Sequence, residues 1–383
     1  MRRGLISPNL TRIKHSLPTA FRAAVSRLES HRHRLAPKSA APGGRLKCGL
    51  LGAGQFFSYA YVPALNQKHS PLAVTGILAR NEEKFSMAQR GLRYAAKHFS
   101  DTDSLLASDI EAALILLPNH LHFETTKSAL ECGLHVFSEK PLTGNVTDAL
   151  ALKIIAQKSG RVLMADFNQR YLDRNRVLKN VLDENRIGKV AAVHAFHNQD
   201  LRGLKSFAPL HRDLTGGGVV HNAGIHFINL FLHWFGEVER VRAVFANRAL
   251  PTTCGEDTAH CEFWFRNGVH ATLDASLANA VDTTYERIQF IGDGGEIRSD
   301  LKKCDIVLKP TGKRQLKIPC RPEIISDSVF NALNHFAGCV KNNSRPETEV
   351  EDFIRTMKVI EALTLSAQRG QDVSLAEIEI KYA

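Results

Sequence analysis

Lys47-Cys48-Gly49-Leu50-Leu51-Gly52-Ala53-Gly54 is the stretch on which the fold turns. An apolar run of strand length ends in a Gly-x-Gly turn, and a helical pattern follows. The first glycine permits a tight turn. The second lets the backbone approach a pyrophosphate, which the unpaired N–H groups and positive dipole end of the next helix then hold. Gly52, Gly54, Gln55 and Phe56 are therefore candidate dinucleotide contacts. The third position of the fingerprint is Phe57 rather than Gly or Ala, which leaves an ordinary strand–helix turn as the competing reading.

Outward from this turn, strand and helix alternate. Apolar runs at residues 74–78, 112–117, 135–137 and 162–164 read as strands, and helical patterns fill 82–90, 124–131 and 147–158. Repeated strand–helix–strand units with right-handed crossovers predict an α/β Rossmann domain over residues 46–166, with a doubly wound parallel sheet. The second strand ends in Ile77-Leu78-Ala79-Arg80-Asn81, with no carboxylate to hold a ribose 2′-hydroxyl. Arg80 can instead pair with a 2′-phosphate through charge-assisted hydrogen bonds of about 1.5–3 kcal/mol, a roughly ten- to hundredfold preference. NADP(H) is the expected cofactor. NAD(H) is the alternative, with Arg80 a surface charge and Asn81 or Glu82 on the ribose.

After Asp166 the pattern changes. Residues 172–185 read as a helix closed by Ile187-Gly188, and strand-like runs follow at 190–197, 238–245, 258–265, 269–276, 286–291 and 296–298. Arg266-Asn267-Gly268 and Gly292-Asp293-Gly294-Gly295 have hairpin chemistry, and residues 327–340 and 350–368 read as closing helices. Residues 167–383 are thus expected to form an α+β domain on a mostly antiparallel, open-faced sheet, one face of which must be covered by helices or by another subunit.

A chain of 383 residues calls for more than one core. The net charge of +11 is local: residues 1–45 hold two Lys, eight Arg and one Glu, and the other 338 residues hold 40 basic against 38 acidic side chains. The remainder is nearly neutral, so no nucleic-acid partner is expected. Seven scattered cysteines form no CxxC pair, which argues against structural zinc and for a reducing compartment. No metal is expected. No run reaches the roughly 18 apolar residues of a membrane span. The extension 1–45 has the Arg- and Ser-rich, acid-poor character of an organelle transit peptide, of a disordered basic tail, or of a start codon placed too early. The expected location is cytoplasmic, or an organelle if the first reading holds.

Pro118-Asn119-His120-Leu121-His122, Ser138-Glu139-Lys140-Pro141, Phe167-Asn168-Gln169-Arg170-Tyr171, and the run Gly216 to His226 continued by Trp234-Phe235-Gly236 give a second kind of signal. Together with Pro346-Glu347 they make the chain resemble the glucose–fructose oxidoreductase/inositol dehydrogenase/rhizopine-catabolism family over roughly residues 46–378. The resemblance implies a hydride transfer at a carbon bearing a hydroxyl. It implies that Glu139 and Lys140 lie beside the nicotinamide ribose, that Lys140 also bonds the reacting oxygen, and that Asn119 and His122 line the nicotinamide end. His226 would be the general acid/base, Asn168, Arg170, Tyr171 and Asn222 would meet substrate, and the protein would be a homodimer or homotetramer.

The chain also departs from that family. Many members carry Asp four residues before the catalytic His, where Asn222 stands here. Residues i and i+4 share a helix face, so Asn222 and His226 are expected in one cleft, with His226 still titrating near neutrality. The next acidic position is Asn229, which would make the cleft less negative. A loop with Gln199, Asp200, Arg202, Lys205, His211, Arg212 and Asp213 could clamp an acidic or phosphate-bearing substrate, or be a solvated surface. Trp234 and Phe235 read as core. The expected activity is an NAD(P)-dependent dehydrogenase or reductase acting on a small polyhydroxylated molecule: a sugar, cyclitol or nucleotide sugar. The alternatives are a glycoside-cleaving enzyme that cycles a tightly held cofactor, and a non-catalytic dinucleotide sensor.

Overall fold

A computed structural model describes residues 43–201, 217–248, 250, 255–278, 285–300 and 305–382. The extension up to residue 42 and the cationic loop 202–216, with Arg202, Lys205, His211, Arg212 and Asp213, lie outside the described residues.

Strands β1 (Leu46–Leu51), β2 (Leu72–Leu78), β3 (Lys97–Phe99), β4 (Ala112–Ile115), β5 (His135–Glu139) and β6 (Leu163–Asp166) form one sheet. Its order is β3-β2-β1-β4-β5-β6, and every pair is parallel. This is the dinucleotide-fold order, whose direction reverses between β1 and β4. β4 is buried at all four positions, as continuous apolar runs demand when helices cover both faces. A helix runs from Gln55 through a π turn at Phe57–Tyr61 into α1 (Val62–Leu65). The crossovers are α2 (Glu82–Gly91), α3 (Thr102–Leu106), α4 (His122–Glu131) and α5 (Val146–Ser159). α2 starts where the Asn81 side chain accepts from Lys84 N at 3.0 Å. β3 and α3 escape the sequence pattern because three and five residues are too few to set a period.

After α6 (Asp173–Asp183) a second sheet begins: β7 (Val190–Asn198), β8 (Val238–Ala246), β9 (Thr258–Phe265), β10 (His270–Ser276), β11 (Tyr285–Gly292), β12 (Gly295–Asp300), β13 (Asp305–Pro310), β14 (Leu316–Pro319) and the short β15 (Val373–Ser374). Its order is β14-β13-β12-β11-β7-β10-β9-β8-β15, antiparallel except for β7 against β10. β13 and β14 extend it beyond the strands read from the sequence. Burial alternates along β9, with Ala259, Cys261, Phe263 and Phe265 inward. Helices α7 (Ile225–Phe235) and α9 (Val350–Arg369) cover that face. The opposite face carries half-buried pairs: His260 Nδ1 lies 2.8 Å from Asp274 Oδ1, and the Trp264 ring stacks on His270 at 4.8 Å.

The chain then returns. In α8 (Ile325–Asn342), Val329, Ala332, Leu333 and Phe336 pack into one core with Cys48, Leu50, Phe57, Tyr61 and Phe137. The last third of the sequence thus closes one face of the first sheet, and α10 (Leu375–Lys381) ends the fold. Trp234 and Phe235 lie in an aromatic group with Phe231 and Phe290, so they are core, as their helical spacing suggested.

Candidate functional site

Four strand ends bring the candidate residues to one edge of the parallel sheet. Gly52 follows β1, Arg80 follows β2, Asn119 follows β4, and Glu139-Lys140 end β5. Gly52 has φ +103°, and a Cβ there would lie 2.4 Å from Leu116 O, so only glycine fits. Gly54 is the reverse case: a Cβ would meet nothing within 4 Å. The turn is therefore tight beneath and open above, the shape that a pyrophosphate needs. Phe57 is buried at the place where a small residue would let helix and strand approach, and the helix opens into a π turn there.

Arg80 is exposed and has no hydrogen-bond or ion-pair partner among the described residues. Its competitors are engaged: Asn81 caps α2, and Glu82 Oε2 lies 3.2 Å from His98 Nδ1. Asn119 is half-buried in a 3-10 turn after β4, and its side chain is open. His122 is different. It has no exposed surface, and its ring nitrogens lie 2.7 Å from Pro141 O and 2.7 Å from Leu117 O. It ties the loop after β4 to the loop after β5 and cannot line a cofactor pocket from there. That expectation is corrected: the side chain is consumed by two backbone carbonyls.

Lys140, joined to Pro141 by a cis peptide bond, donates from Nζ to Asn222 O at 2.7 Å. This bond joins the first sheet to the helix that carries His226. That helix starts at Val219, passes through a π turn at Val220–Gly224, and becomes α7 at Ile225. A regular helix was expected from the spacing of Asn222 and His226; instead Asn222 lies within the π turn and His226 in the α-helix that follows it. Gly217 and Gly218 are needed at its start. A Cβ on Gly218 would lie 2.1 Å from Glu256 O. Glu256 then caps the helix, with Val219 N donating to its backbone O at 2.7 Å and Val220 N to its Oε1 at 2.9 Å. No sequence signal pointed to Glu256, which follows 36 positions later.

Lys140, Asn222 and His226 are each partly exposed, and their surroundings shape the electrostatics. Burial pushes the Lys140 ammonium down in pKa, and Glu139 and Asp166 push it back up. Burial holds His226 well below the usual imidazole range, with Lys140 and His197 adding to the effect. His226 is thus a neutral imidazole at neutral pH. The expectation of titration near neutrality is corrected: burial lowers the ring's pKa, and among the described residues no carboxylate pairs with the ring and its buried Nδ1 has no partner. Glu139 has both oxygens occupied, Oε1 by Tyr61 Oη at 2.8 Å and Oε2 by Lys140 N at 3.1 Å. Tyr61 Oη also lies 2.6 Å from Asp166 Oδ2. Sequence reasoning missed Tyr61 and Asp166: each looks like one more residue of an element pattern, and only packing brings them together.

Three other candidates are scaffold. Tyr171 is fully buried, its hydroxyl 3.3 Å from Thr348 Oγ1. Arg170 donates to Asn229 Oδ1 at 3.4 Å and Glu347 O at 3.1 Å. Asn229 is itself buried and donates to Thr356 Oγ1 at 3.2 Å, so it does not shape the charge of a cleft. These residues fasten the second domain to the returning chain rather than face substrate. Asn168 is nearly buried, with its Oδ1 unpartnered, and Asn222 is half-buried with its side chain open.

Comparison with known proteins identifies the family and the fold. Residues 46–167 match the family described as "Oxidoreductase family, NAD-binding Rossmann fold", and residues 175–298 match "GFO/IDH/MocA C-terminal domain". A D-xylose 1-dehydrogenase (NADP(+)) of Haloferax volcanii is 26% identical, over 85% of this chain and 99% of its own. An oxidoreductase from Agrobacterium radiobacter, solved with NAD+, L-tartaric acid and magnesium, superposes with TM-score 0.76 at 20% identity, covering 87% of this chain and 99% of its own. A 3-ketoreductase from Actinomadura kijaniata, solved with NADP and TDP-benzene, superposes with TM-score 0.73 at 22% identity, over 84% and 98%.

Proposed function

Since the chain belongs to the GFO/IDH/MocA family of NAD(P)-dependent sugar oxidoreductases, we propose that it moves a hydride between NADP(H) and a secondary hydroxyl, or its ketone, of a sugar, cyclitol or nucleotide sugar, with Lys140 and His226 at the reacting oxygen. The observation that carries this reading is the 2.7 Å bond from Lys140 Nζ to Asn222 O. It draws the lysine that follows β5 onto the helix of His226, at the edge where the open Gly54 turn and Arg80, unpaired among the described residues, also lie.

The dinucleotide, when bound, supplies the hydride acceptor or donor. The Gly52–Gly54 turn and the N–H groups of the helix after it would receive the pyrophosphate. Arg80 would pair with the 2′-phosphate, and Asn119 is free to meet the nicotinamide end. For the alcohol, neutral His226 accepts the hydroxyl proton while the Lys140 ammonium stabilises negative charge on that oxygen. For the ketone, proton movement reverses. A neutral imidazole suits the first direction, because a base must be unprotonated to act.

The NADP preference rests on Arg80 and on the engagement of Asn81 and Glu82 elsewhere. The relatives include proteins named or solved with NADP and with NAD, so cofactor choice needs its own test. Thermal-shift titration with NADP+, NADPH, NAD+ and NADH, on the wild type and Arg80→Ala, provides it. A shift with NADP(H) that the variant loses is the expected result; a shift with NAD(H) alone removes the Arg80 assignment. The sugar, cyclitol and nucleotide-sugar screen then uses whichever cofactor binds. We also propose a homo-oligomer formed through the open face of the second sheet, which light scattering after size exclusion would measure.

A further inference from the structure

Beside Lys140, three polar side chains from three elements converge. Tyr61 comes from the π turn before α1, Glu139 from the end of β5 and Asp166 from the end of β6. Tyr61 and Asp166 have no exposed surface and Glu139 has 8%. The phenol lies 2.8 Å from Glu139 Oε1 and 2.6 Å from Asp166 Oδ2. A phenol owns one proton and can donate to one of these oxygens only. Two ionised carboxylates packed around a single hydroxyl, out of water, repel one another, so the set takes up a further proton that the carboxyls share. Among the described residues Oδ1 of Asp166 is buried with no donor, and the Asp166 and Glu139 carboxyls lie close enough to share a hydrogen bond.

We propose that Tyr61, Glu139 and Asp166 act as one proton-sharing group of single negative charge, and that this group is the buried counter-ion of Lys140. Tyr61 and Asp166 are then positioning residues for the reaction, acting through Glu139 and Lys140. The inference deepens the reading of Lys140 given above, on which its catalytic meaning rests. Tyr59 and Lys140 face the group electrostatically, and His122 and His226 face Lys140. Neither imidazole supplies negative charge, and the Lys140 ammonium, which donates to Asn222 O rather than to a carboxylate, feels the field of the two carboxyls without contact. As pH falls and the set gains its second proton, that support is lost.

The shared charge has a signature. With one proton between two carboxyls, replacing either by an amide leaves the other to ionise, and the charge at Lys140 persists. Replacing both removes it. The experiment is trace acetylation of the full chain with acetic anhydride across pH, read at Lys140 by peptide mass spectrometry, with exposed Lys84 and Lys158 as internal references. Glu139→Gln and Asp166→Asn are each expected to label Lys140 within about threefold of wild type near neutral pH, and the double variant at least tenfold faster, since one pKa unit is tenfold in free amine. Tenfold acceleration in each single variant would mean two separate charges and would overturn the proposal, as would an unchanged rate in the double variant. If the double variant does not fold, infrared spectroscopy decides: the wild type should show a protonated carboxyl band at neutral pH that each single variant lacks, and its absence from the wild type overturns the sharing. Labelling needs neither substrate nor cofactor, so it stands apart from the oxidoreductase reading, which fails separately if Lys140→Met keeps its turnover.

Discussion

The molecule starts two helices at glycines beside its candidate site, and uses them in opposite ways. At Gly52-Ala53-Gly54 the turn closes tightly below on Leu116, and a Cβ on Gly54 would meet nothing within 4 Å. At Gly217-Gly218 the space is filled by the chain itself: Glu256 presses its backbone against Gly218 and gives its carboxylate to Val220 N. Both helices carry a π turn just after the start, at Phe57–Tyr61 and at Val220–Gly224. One start is left free for an anion from outside, and the other is satisfied by an internal anion that fixes the helix of His226. A glycine-rich helix start therefore has no single meaning; what occupies the volume above it decides.

The sharpest break of this comparison acts where the two starts meet. Lys140→Met should lower turnover by about three powers of ten or more, a loss of roughly 4 kcal/mol of transition-state stabilisation, with cofactor affinity kept. Steady-state kinetics beside a binding titration checks this. The glycines separate next. Gly218→Ala should cost stability, about 2–4 kcal/mol in denaturant unfolding, because backbone stands where its methyl must go. Gly54→Ala should leave the unfolding midpoint nearly unchanged and weaken dinucleotide binding about tenfold or more, since only a ligand fills that space. Loss of stability in Gly54→Ala, or of binding alone in Gly218→Ala, would reverse the assignment.

The imidazoles on the closed helix give a pH test. His226 is held well below the usual imidazole range by burial, and His221 is lowered to about 4 by the same cause. A histidine whose folded pKa is depressed binds its proton more tightly when unfolded, so stability is full above the unfolded value of about 6.5 and is lost as pH falls toward the folded one. Between about pH 6.5 and 4 the unfolding free energy should fall by up to roughly 1.4 kcal/mol per pH unit on account of His221, with His226 adding a loss of the same sign below pH 6.5. His221→Asn should flatten that slope in urea melts; an unchanged slope would show that His221 is not buried neutral. The smallest effect is at the cap: Glu256→Gln keeps an acceptor for Val220 N but removes the charge at the helix start, which should cost about 0.3–1 kcal/mol.

Much of the first domain was legible because its signals are local. The apolar run before Gly52 and the alternation of strand with helix are read within a few residues, and the absence of an acidic residue before Arg80 is visible at once. The Glu139-Lys140-Pro141 and Gly216 to His226 runs pointed to each other only through resemblance, and the bond between Lys140 and Asn222 is what places them together. Burial was the part that sequence could not carry. His122, Arg170, Tyr171 and Asn229 have the chemistry of site residues, yet they are buried and hydrogen-bond to Pro141, Glu347, Thr348 and Thr356, with only Nε of the Arg170 fork left without a partner among the described residues. Conversely, Tyr61, Asp166 and Glu256 carried no motif, yet the first two form the polar group around Glu139 and the third caps the helix of His226.

By itself the sequence determined the parallel sheet and the glycine turn after its first strand, because periodicity and glycine placement act over one strand or one helical turn; Lys140 and His226 stood out only through the family resemblance. The tertiary structure alone decided which polar groups face one another: that α8 closes the first sheet, that Glu256 caps a helix 36 positions upstream, and that one phenol bridges two carboxylates beside Lys140. The physical reason is that a polar side chain's role is set by what else is excluded from water with it, and that depends on contacts between residues far apart in the chain.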